Sequence, residues 1–351
     1  MRIATIVGAR PQFVKASVVS RALRARHTEI LIHTGQHYDA NMSDVFFRDL
    51  DIPAPDRHLG IGSGSHGEQT GRMLGALEAA LLEEKPDVAL VYGDTNSTLA
   101  GALAAAKLGV PVAHVEAGCR SYDRSMPEEI NRVLTDHAST LLFCPTPATI
   151  DNLAREGITA GVHLVGDVML DLCRAWLREA EARSNVLQRY TLVPRRYLAA
   201  TIHRAANTDD RARLVRLVDA LGTLREPVIL PAHPRTRAAL RGIPVPGNVH
   251  VVEPLSYLDM LVVTRYARMV LTDSGGLQKE AFFLGTPCLT LRDRTEWPET
   301  VDAGWNRCVD DDACAIGDAV ASWTPTGPVQ VDAFGDGRAA ERIATLVREA
   351  R

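Results

Sequence analysis

The chain has 351 residues, room for two domains of about 150 residues each, the usual size for one core. With 46% hydrophobic and 23% charged residues it has the balance of a globular protein, and a net charge of −4 offers no attraction for nucleic acid or an anionic membrane. The six cysteines form no CxxC pair and several sit in apolar runs, so they read as buried thiols of a reducing compartment. No apolar run reaches the length of a membrane span, and no leader precedes the strand-like Arg2-Ile3-Ala4; a cytoplasmic protein is expected. Lysine is confined to Lys15, Lys85, Lys107 and Lys279 among 39 basic residues, so each of them draws notice.

Residues 2–8 read as a strand ending in Gly8-Ala9-Arg10-Pro11-Gln12, with a helix carrying Lys15 behind it. Strand, glycine turn and helix open a doubly wound α/β domain. Arg10 and Lys15 would then stand at the carboxyl end of the strand, where such sheets bind ligands. A second strand, 29–34, leads into Gly35-Gln36-His37-Tyr38. Gly62 to Gly67 matches G-x-G-x-x-G, but no apolar strand feeds it. We read it as a flexible loop or lid rather than a dinucleotide fingerprint. Strands at 87–92 and 111–115 end in Gly93-Asp94-Thr95 and Glu116-Ala117-Gly118, which places two carboxylates at equivalent strand ends. Met126-Pro127-Glu128-Glu129 starts a helix with proline in its first turn and brings Glu128 into the same neighbourhood. A strand at 141–144, a helix over 147–157 and a short strand at 163–165 complete a first domain placed at 1–168.

A charged helix, 169–184, bridges into a second domain, placed at 169–335. Its strands, at 197–202, 227–230, 249–252, 269–271 and 288–291, lead to His203-Arg204, His233-Pro234, Leu255-Ser256-Tyr257, Asp273-Ser274-Gly275-Gly276 and Arg292. The fourth of these is the most informative. Ser274 can cap the following helix, and Gly275 and Gly276 let a ligand reach the free backbone N–H groups at its positive end. Phosphates suit such a place, and Glu280, further along, can accept hydrogen bonds from ribose hydroxyls. His203 and His233 share the sheet edge with this anion site. A last amphipathic helix over 338–351, in a segment 336–351, is expected to pack back on the first domain.

Two Rossmann-like, doubly wound domains facing across a cleft, with an anion site and no dinucleotide fingerprint, describe the GT-B architecture. Gly8-Ala9-Arg10-Pro11 with Lys15, Gly93-Asp94-Thr95, His114-Val115-Glu116-Ala117-Gly118 and Met126-Pro127-Glu128-Glu129-Ile130-Asn131-Arg132 resemble the non-hydrolysing UDP-N-acetylglucosamine 2-epimerases. So do Thr201-Ile202-His203-Arg204, His233-Pro234, Asp273-Ser274-Gly275-Gly276-Leu277-Gln278 and Thr295-Glu296, in one order over essentially the whole chain. Gly35-Gln36-His37-Tyr38-Asp39 and Met42-Ser43-Asp44-Val45-Phe46-Phe47 look most like the branch with UDP-2,3-diacetamido-2,3-dideoxyglucuronic acid 2-epimerases.

The resemblance implies a route without redox cofactor or metal: UDP is eliminated to leave a 2-acetamidoglucal and then adds back, inverting C2. It implies catalytic roles for Asp94, Glu116, Glu128, His203 and Lys15. Arg10, His203, Arg292 and Ser274-Gly275-Gly276 would hold the diphosphate, Glu280 the ribose, and backbone at Leu255 and Tyr257 the uracil. A second UDP-sugar, an activator, would meet Gln36, His37, Gln69, Arg72 and His233, and a homodimer is implied. Two positions depart from the pattern: Ala206, where relatives usually carry an acidic residue, and Trp297, where many carry Arg. The expected reaction interconverts UDP-GlcNAc and UDP-ManNAc or a close analogue. The alternatives are a hydrolysing 2-epimerase, a GT-B glycosyltransferase and an inactive UDP-sugar sensor.

Overall fold

A computed structural model describes residues 1–36 and 50–350. The chain divides into two compact units, Met1–Leu172 with Asp332–Arg351, and Cys173–Val331. The first unit holds strands β1 (Arg2–Val7), β2 (Thr28–His33), β3 (Arg57–His58), β4 (Val88–Tyr92), β5 (Val112–Val115), β6 (Leu141–Cys144) and β7 (Val162–Leu164). They pair in parallel in the order β3-β2-β1-β4-β5-β6-β7. Helices cover both faces of such a sheet, so its central strands are continuously apolar rather than alternating. All five residues of β4 are 0% exposed.

Ala4, Ile6, Ile30 and Ile32 pack against Met73, Leu77 and Leu81 of the His66–Glu84 helix and Ala100 and Ala104 of the Asn96–Lys107 helix. The alanine run is there for closeness. A Cβ on Gly101 would lie 2.9 Å from Ile6 Cδ1, so the helix rests directly on the sheet. The last helix runs over Ala339–Leu346 and ends in a 3-10 turn, Val347–Ala350, shorter than the 338–351 expected. It belongs to the first unit: Asp171 accepts from Ala339 N and Ala340 N at 3.1 and 2.8 Å, and His27 Nε2 meets the Ala344 carbonyl at 2.7 Å.

The second unit holds β8 (Leu198–Thr201), β9 (Val228–Pro231), β10 (Val249–Val252), β11 (Met269–Thr272), β12 (Cys288–Thr290) and β13 (Asn306–Cys308). Their parallel order, β10-β9-β8-β11-β12-β13, is the Rossmann order. Both units are thus Rossmann-like, the two-domain class called GT-B. β3 and β13 were not anticipated; each is two or three residues long, lies at a sheet edge and carries Arg, His or Asn in place of an apolar run.

Of residues 62–67, expected as a flexible loop or lid, His66 and Gly67 already belong to the His66–Glu84 helix, and the stretch before them, 59–65, is pinned. Arg72 donates to the carbonyls of Ile61 and Ser63 at 2.8 Å each, and Gln69 Nε2 donates to Gly62 at 2.8 Å. The strand before them, β3, lies at the outer edge of the sheet, away from the position a dinucleotide turn requires. Among the described residues no helix is long and apolar enough to cross a membrane.

Candidate active site

Open parallel sheets bind ligands beyond the carboxyl ends of the strands, where the strand order reverses. In the first unit that point lies between β1 and β4, and in the second between β8 and β11. Arg10, Lys15, Asp94 and Glu116 stand after the strands around the first point and His203 and Ser274 after those at the second, whereas His233, Leu255, Tyr257 and Arg292 follow β9, β10 and β12.

At the first point the turn after β1 must come close to its neighbours. A Cβ on Gly8 would sit 2.1 Å from both Ser97 Oγ and Thr34 Oγ1. Gln12 staples this turn to β4: its Oε1 accepts from Gly8 N and Ala9 N at 2.8 and 3.0 Å. Its Nε2 donates to the Tyr92 carbonyl and Thr98 Oγ1, both at 3.0 Å. Lys15, 9% exposed, leans from the Arg10–Arg24 helix onto the Glu116 carboxylate and forms an ion pair with it. Glu116 follows β5 with a φ of 72°, the left-handed region that a glutamate rarely occupies. Arg10, partly exposed, opens the same helix as Lys15.

Asp94 follows β4 and takes Arg132 Nη2 at 2.5 Å. Arg132 comes from the Pro127–Ala138 helix, and its Nη1 donates to Glu129 Oε2 at 2.9 Å. The neighbours Glu128 and Glu129 part company here. Glu129 is 3% exposed and accepts from Ser121 N, Ser121 Oγ and Tyr122 N at 2.9 Å each, whereas Glu128 stays partly exposed. Gln12, Glu129 and Arg132 were not singled out from the sequence. The spacing that puts Arg132 one helical turn beyond Glu128 and Glu129 was the available signal for that pair.

At the second point the buried carboxylate is Asp273, 0% exposed at the end of β11. It accepts from His203 N at 3.0 Å, Arg204 N at 3.0 Å and Asn207 Nδ2 at 2.9 Å, and pairs with His203 Nδ1 at 3.0 Å. Burial alone would push this carboxyl up, but the His203 ring and these donors hold it at about 2. The His203 side chain is 42% exposed, so its other nitrogen, Nε2, is left for solvent or a ligand.

Ser274 caps the Gly275–Phe283 helix, accepting from Leu277 N at 3.3 Å. A Cβ on Gly276 would meet only Ser274 Oγ, 3.9 Å away, whereas one on Gly275 would press on Trp297 Nε1 at 3.2 Å. Trp297 is buried against Lys279, whose Nζ lies 3.6 Å from the ring centroid. Glu280, 8% exposed, and Cys173 share the hydroxyl of buried Tyr257, whose ionisation burial pushes far up. Leu255 is buried beside it in sequence, and Ser256 caps the Tyr257–Tyr266 helix. The Arg292 fork, expected to face phosphate, is occupied by Glu296 at 2.8 and 3.0 Å.

Of the residues matched to an activator site, Gln36 accepts from Ser97 N and Oγ at 3.1 and 2.7 Å, and Gln69 accepts from Asn96 Nδ2 at 2.9 Å. Gln69 and Arg72 also pin residues 59–65, as described above. His233 lies in the second unit, before the Pro234–Ala239 helix, and His37 falls outside the described residues.

Residues 21–348 match the family described as UDP-N-acetylglucosamine 2-epimerase. The chain belongs to that family. Membership makes it an isomerase of the epimerase type. It is 49% identical to the UDP-2,3-diacetamido-2,3-dideoxy-D-glucuronate 2-epimerase of Pseudomonas aeruginosa, with 98% of each chain covered. A UDP-N-acetylglucosamine 2-epimerase homologue of Methanococcus maripaludis is 48% identical over 99% of each chain. Among solved structures, the UDP-GlcNAc 2-epimerase of Methanocaldococcus jannaschii, in complex with UDP-GlcNAc and UDP, shares 43% identity. It covers 99% of this epimerase and 100% of its own chain at a TM-score of 0.93.

Proposed function

We propose that the protein interconverts UDP-N-acetylglucosamine and UDP-N-acetylmannosamine, or a close amino-sugar analogue, by reversible elimination of UDP. The observation that carries this reading is the pair of carboxylates on neighbouring strand ends, Asp94 against Arg132 and Glu116 against Lys15. The hydrogen on C2 of an N-acetylhexosamine is not next to a carbonyl and does not exchange by simple enolisation. Its removal becomes feasible when a leaving group departs from C1 at the same time. A carboxylate takes the C2 proton, the C2–H electrons form the C1–C2 double bond, and the C1–O bond breaks to release UDP. For the return, a UDP phosphate oxygen adds to C1 and a second acid delivers a proton to the opposite face of C2. Two carboxylates with distinct cations suit a base on one face and an acid on the other. Asp94, Glu116 and Glu128 are the acid and base groups, with Arg132 held against Asp94 and Lys15 against Glu116.

The departing diphosphate needs cations and fixed dipoles. The Ser274-Gly275-Gly276 turn supplies N–H groups at a helix N-terminus, His203 supplies Nε2 and Arg10 supplies a guanidinium. Glu280 binds the ribose, and backbone near Leu255 and Tyr257 receives the uracil. With Arg292 tied to Glu296, its part is to hold the loop after β12 rather than to meet phosphate directly. The protein works as a homodimer, and a second UDP-sugar at Gln36, His37, Gln69, Arg72 and His233 activates it.

The test is to incubate the purified protein with UDP-GlcNAc and, separately, with UDP-2,3-diacetamido-2,3-dideoxyglucuronic acid, and to resolve the products by chromatography. A C2 epimer still attached to UDP, reached from either direction, is the expected result. Free UDP accumulating with a free sugar would replace this reading with a hydrolysing one.

A further inference from the structure

One residue of β5 plays no part in the steps above. His114 is 0% exposed, and both ring nitrogens face acceptors: Nε2 lies 2.7 Å from the Gly93 carbonyl oxygen and Nδ1 2.7 Å from Asp136 Oδ1. A carbonyl oxygen can only accept, and so can an ionised carboxylate. Asp136, on the Pro127–Ala138 helix, is held ionised. Burial alone would raise its carboxyl, but His114 and Arg120 pull it below the usual range. Its second oxygen accepts from Gly118 N at 3.1 Å and Arg120 Nη1 at 2.7 Å. A ring with an acceptor on each side requires a proton on each nitrogen.

The surrounding charges agree. Arg120 continues to Glu156, with Nε and Nη2 each 2.7 Å from a carboxylate oxygen, so two cations and two carboxylates balance. Glu156 Oε2, which accepts from Arg120, also lies 3.4 Å from His137 Nε2. On β6 the Cys144 thiol is pushed up to about 12 by burial and carries no charge. On the Gly93 side stand Lys15 and Glu116, which a Cβ on Gly93 would approach to 3.4 and 3.3 Å.

The ties lead to both carboxylate-bearing turns. Gly93 immediately precedes Asp94, and Gly118, held by Asp136, follows Glu116 by two residues. Gly118 has a φ of 79°, and a Cβ there would lie 2.3 Å from the Thr149 carbonyl oxygen, so this turn is also seated against the Pro147–Arg155 helix. We propose that His114, doubly protonated, is a positioning residue that clamps the Asp94 and Glu116 turns to each other. The proposal rests on the reading of those carboxylates as the proton-transfer pair. His114 meets no substrate and acts only through Gly93 and Asp136.

The test joins a spectroscopic signature to kinetics. In protein labelled with 15N-histidine, His114, assigned by its disappearance in His114→Gln, should show two ring N–H signals at pH 8. His114→Asn and His114→Gln each keep at most one tie. Both should lower kcat roughly 10- to 100-fold, the size of effect that slight misplacement of reacting groups produces. KM should hold within about threefold, because UDP is bound elsewhere. Undiminished UDP binding by calorimetry identifies variants that remain folded. A single N–H signal would overturn the charged clamp, and an unchanged kcat, or a rise in KM alone, would overturn the positioning role. If the wild-type protein left C2 unexchanged, the underlying reading would fail instead, and the N–H count would judge the clamp by itself.

Discussion

Glu116 shows what the first site demands of single residues. A left-handed glutamate costs about 1–3 kcal/mol, and such strain persists only where the surroundings over-determine it. Lys15 is one of the restraints, and both side chains of the pair are about nine-tenths buried, at 11% and 12% exposure. Removing one partner of such a pair leaves a charge stranded. Lys15→Met is therefore expected to cost about 3–5 kcal/mol in urea unfolding. Adding Glu116→Gln should recover most of that stability and none of the activity. Asp273 makes a matching case in the second unit. Its folded-state pKa of about 2 lies below the ordinary 3.8, so its contribution is complete above pH 4 and is lost as the pH falls toward 2. The shift corresponds to about 2 kcal/mol. Asp273→Asn should flatten this part of the stability profile, and it should lower kcat by releasing the His203 ring. Asp94, Glu116, His203 and Ser274 were legible in the sequence because each stands within three residues of the end of an apolar run. The different fates of Glu128 and Glu129 were not. The donors that turn Glu129 inward come from Ser121 and Tyr122, on a separate loop whose approach no local pattern encodes.

Among the elements, the helix Gly275–Phe283 depends most on its first turn. Gly276 faces open space while Gly275 lies under Trp297, so the two glycines should respond differently to a side chain. Gly276→Val should weaken UDP binding by about tenfold or more in calorimetry with little change in Tm, because the new methyls occupy the place of an anion at the helix N-terminus. Gly275→Ala should also lower Tm, because Trp297 must shift. Strand positions were readable to within a residue or two because parallel strands buried on both faces are unbroken apolar runs. The His66–Glu84 helix was missed. Its glycines at 67, 71 and 75 fall on one face and meet nothing within 4 Å, so its sequence looks like a loop although its other face is core. The pinned segment 59–65 was misread for a related reason, since its anchors, Gln69 and Arg72, lie on that unrecognised helix.

At the scale of the whole molecule, the two Rossmann-like units follow from the alternation of strands and helices, which with right-handed crossovers permits few other topologies. The return of the C-terminal segment to the first unit is held by partners far away in sequence, the buried acceptor Asp171 and the His27 ring among them. A ligand that binds only the folded protein raises its stability by mass action, about 2.7 kcal/mol at a hundred times Kd. UDP should therefore raise the Tm by roughly 3–5 °C at that excess, while NAD and NADP leave it unchanged. The central claim is that C2 loses its proton to the protein and receives another from it. Proton NMR of the protein with UDP-GlcNAc in deuterated water, with and without Asp94→Asn, tests this most directly. The account expects UDP-ManNAc carrying deuterium at C2, and neither exchange nor epimer in the variant. UDP-ManNAc that kept the original hydrogen at C2 would contradict it.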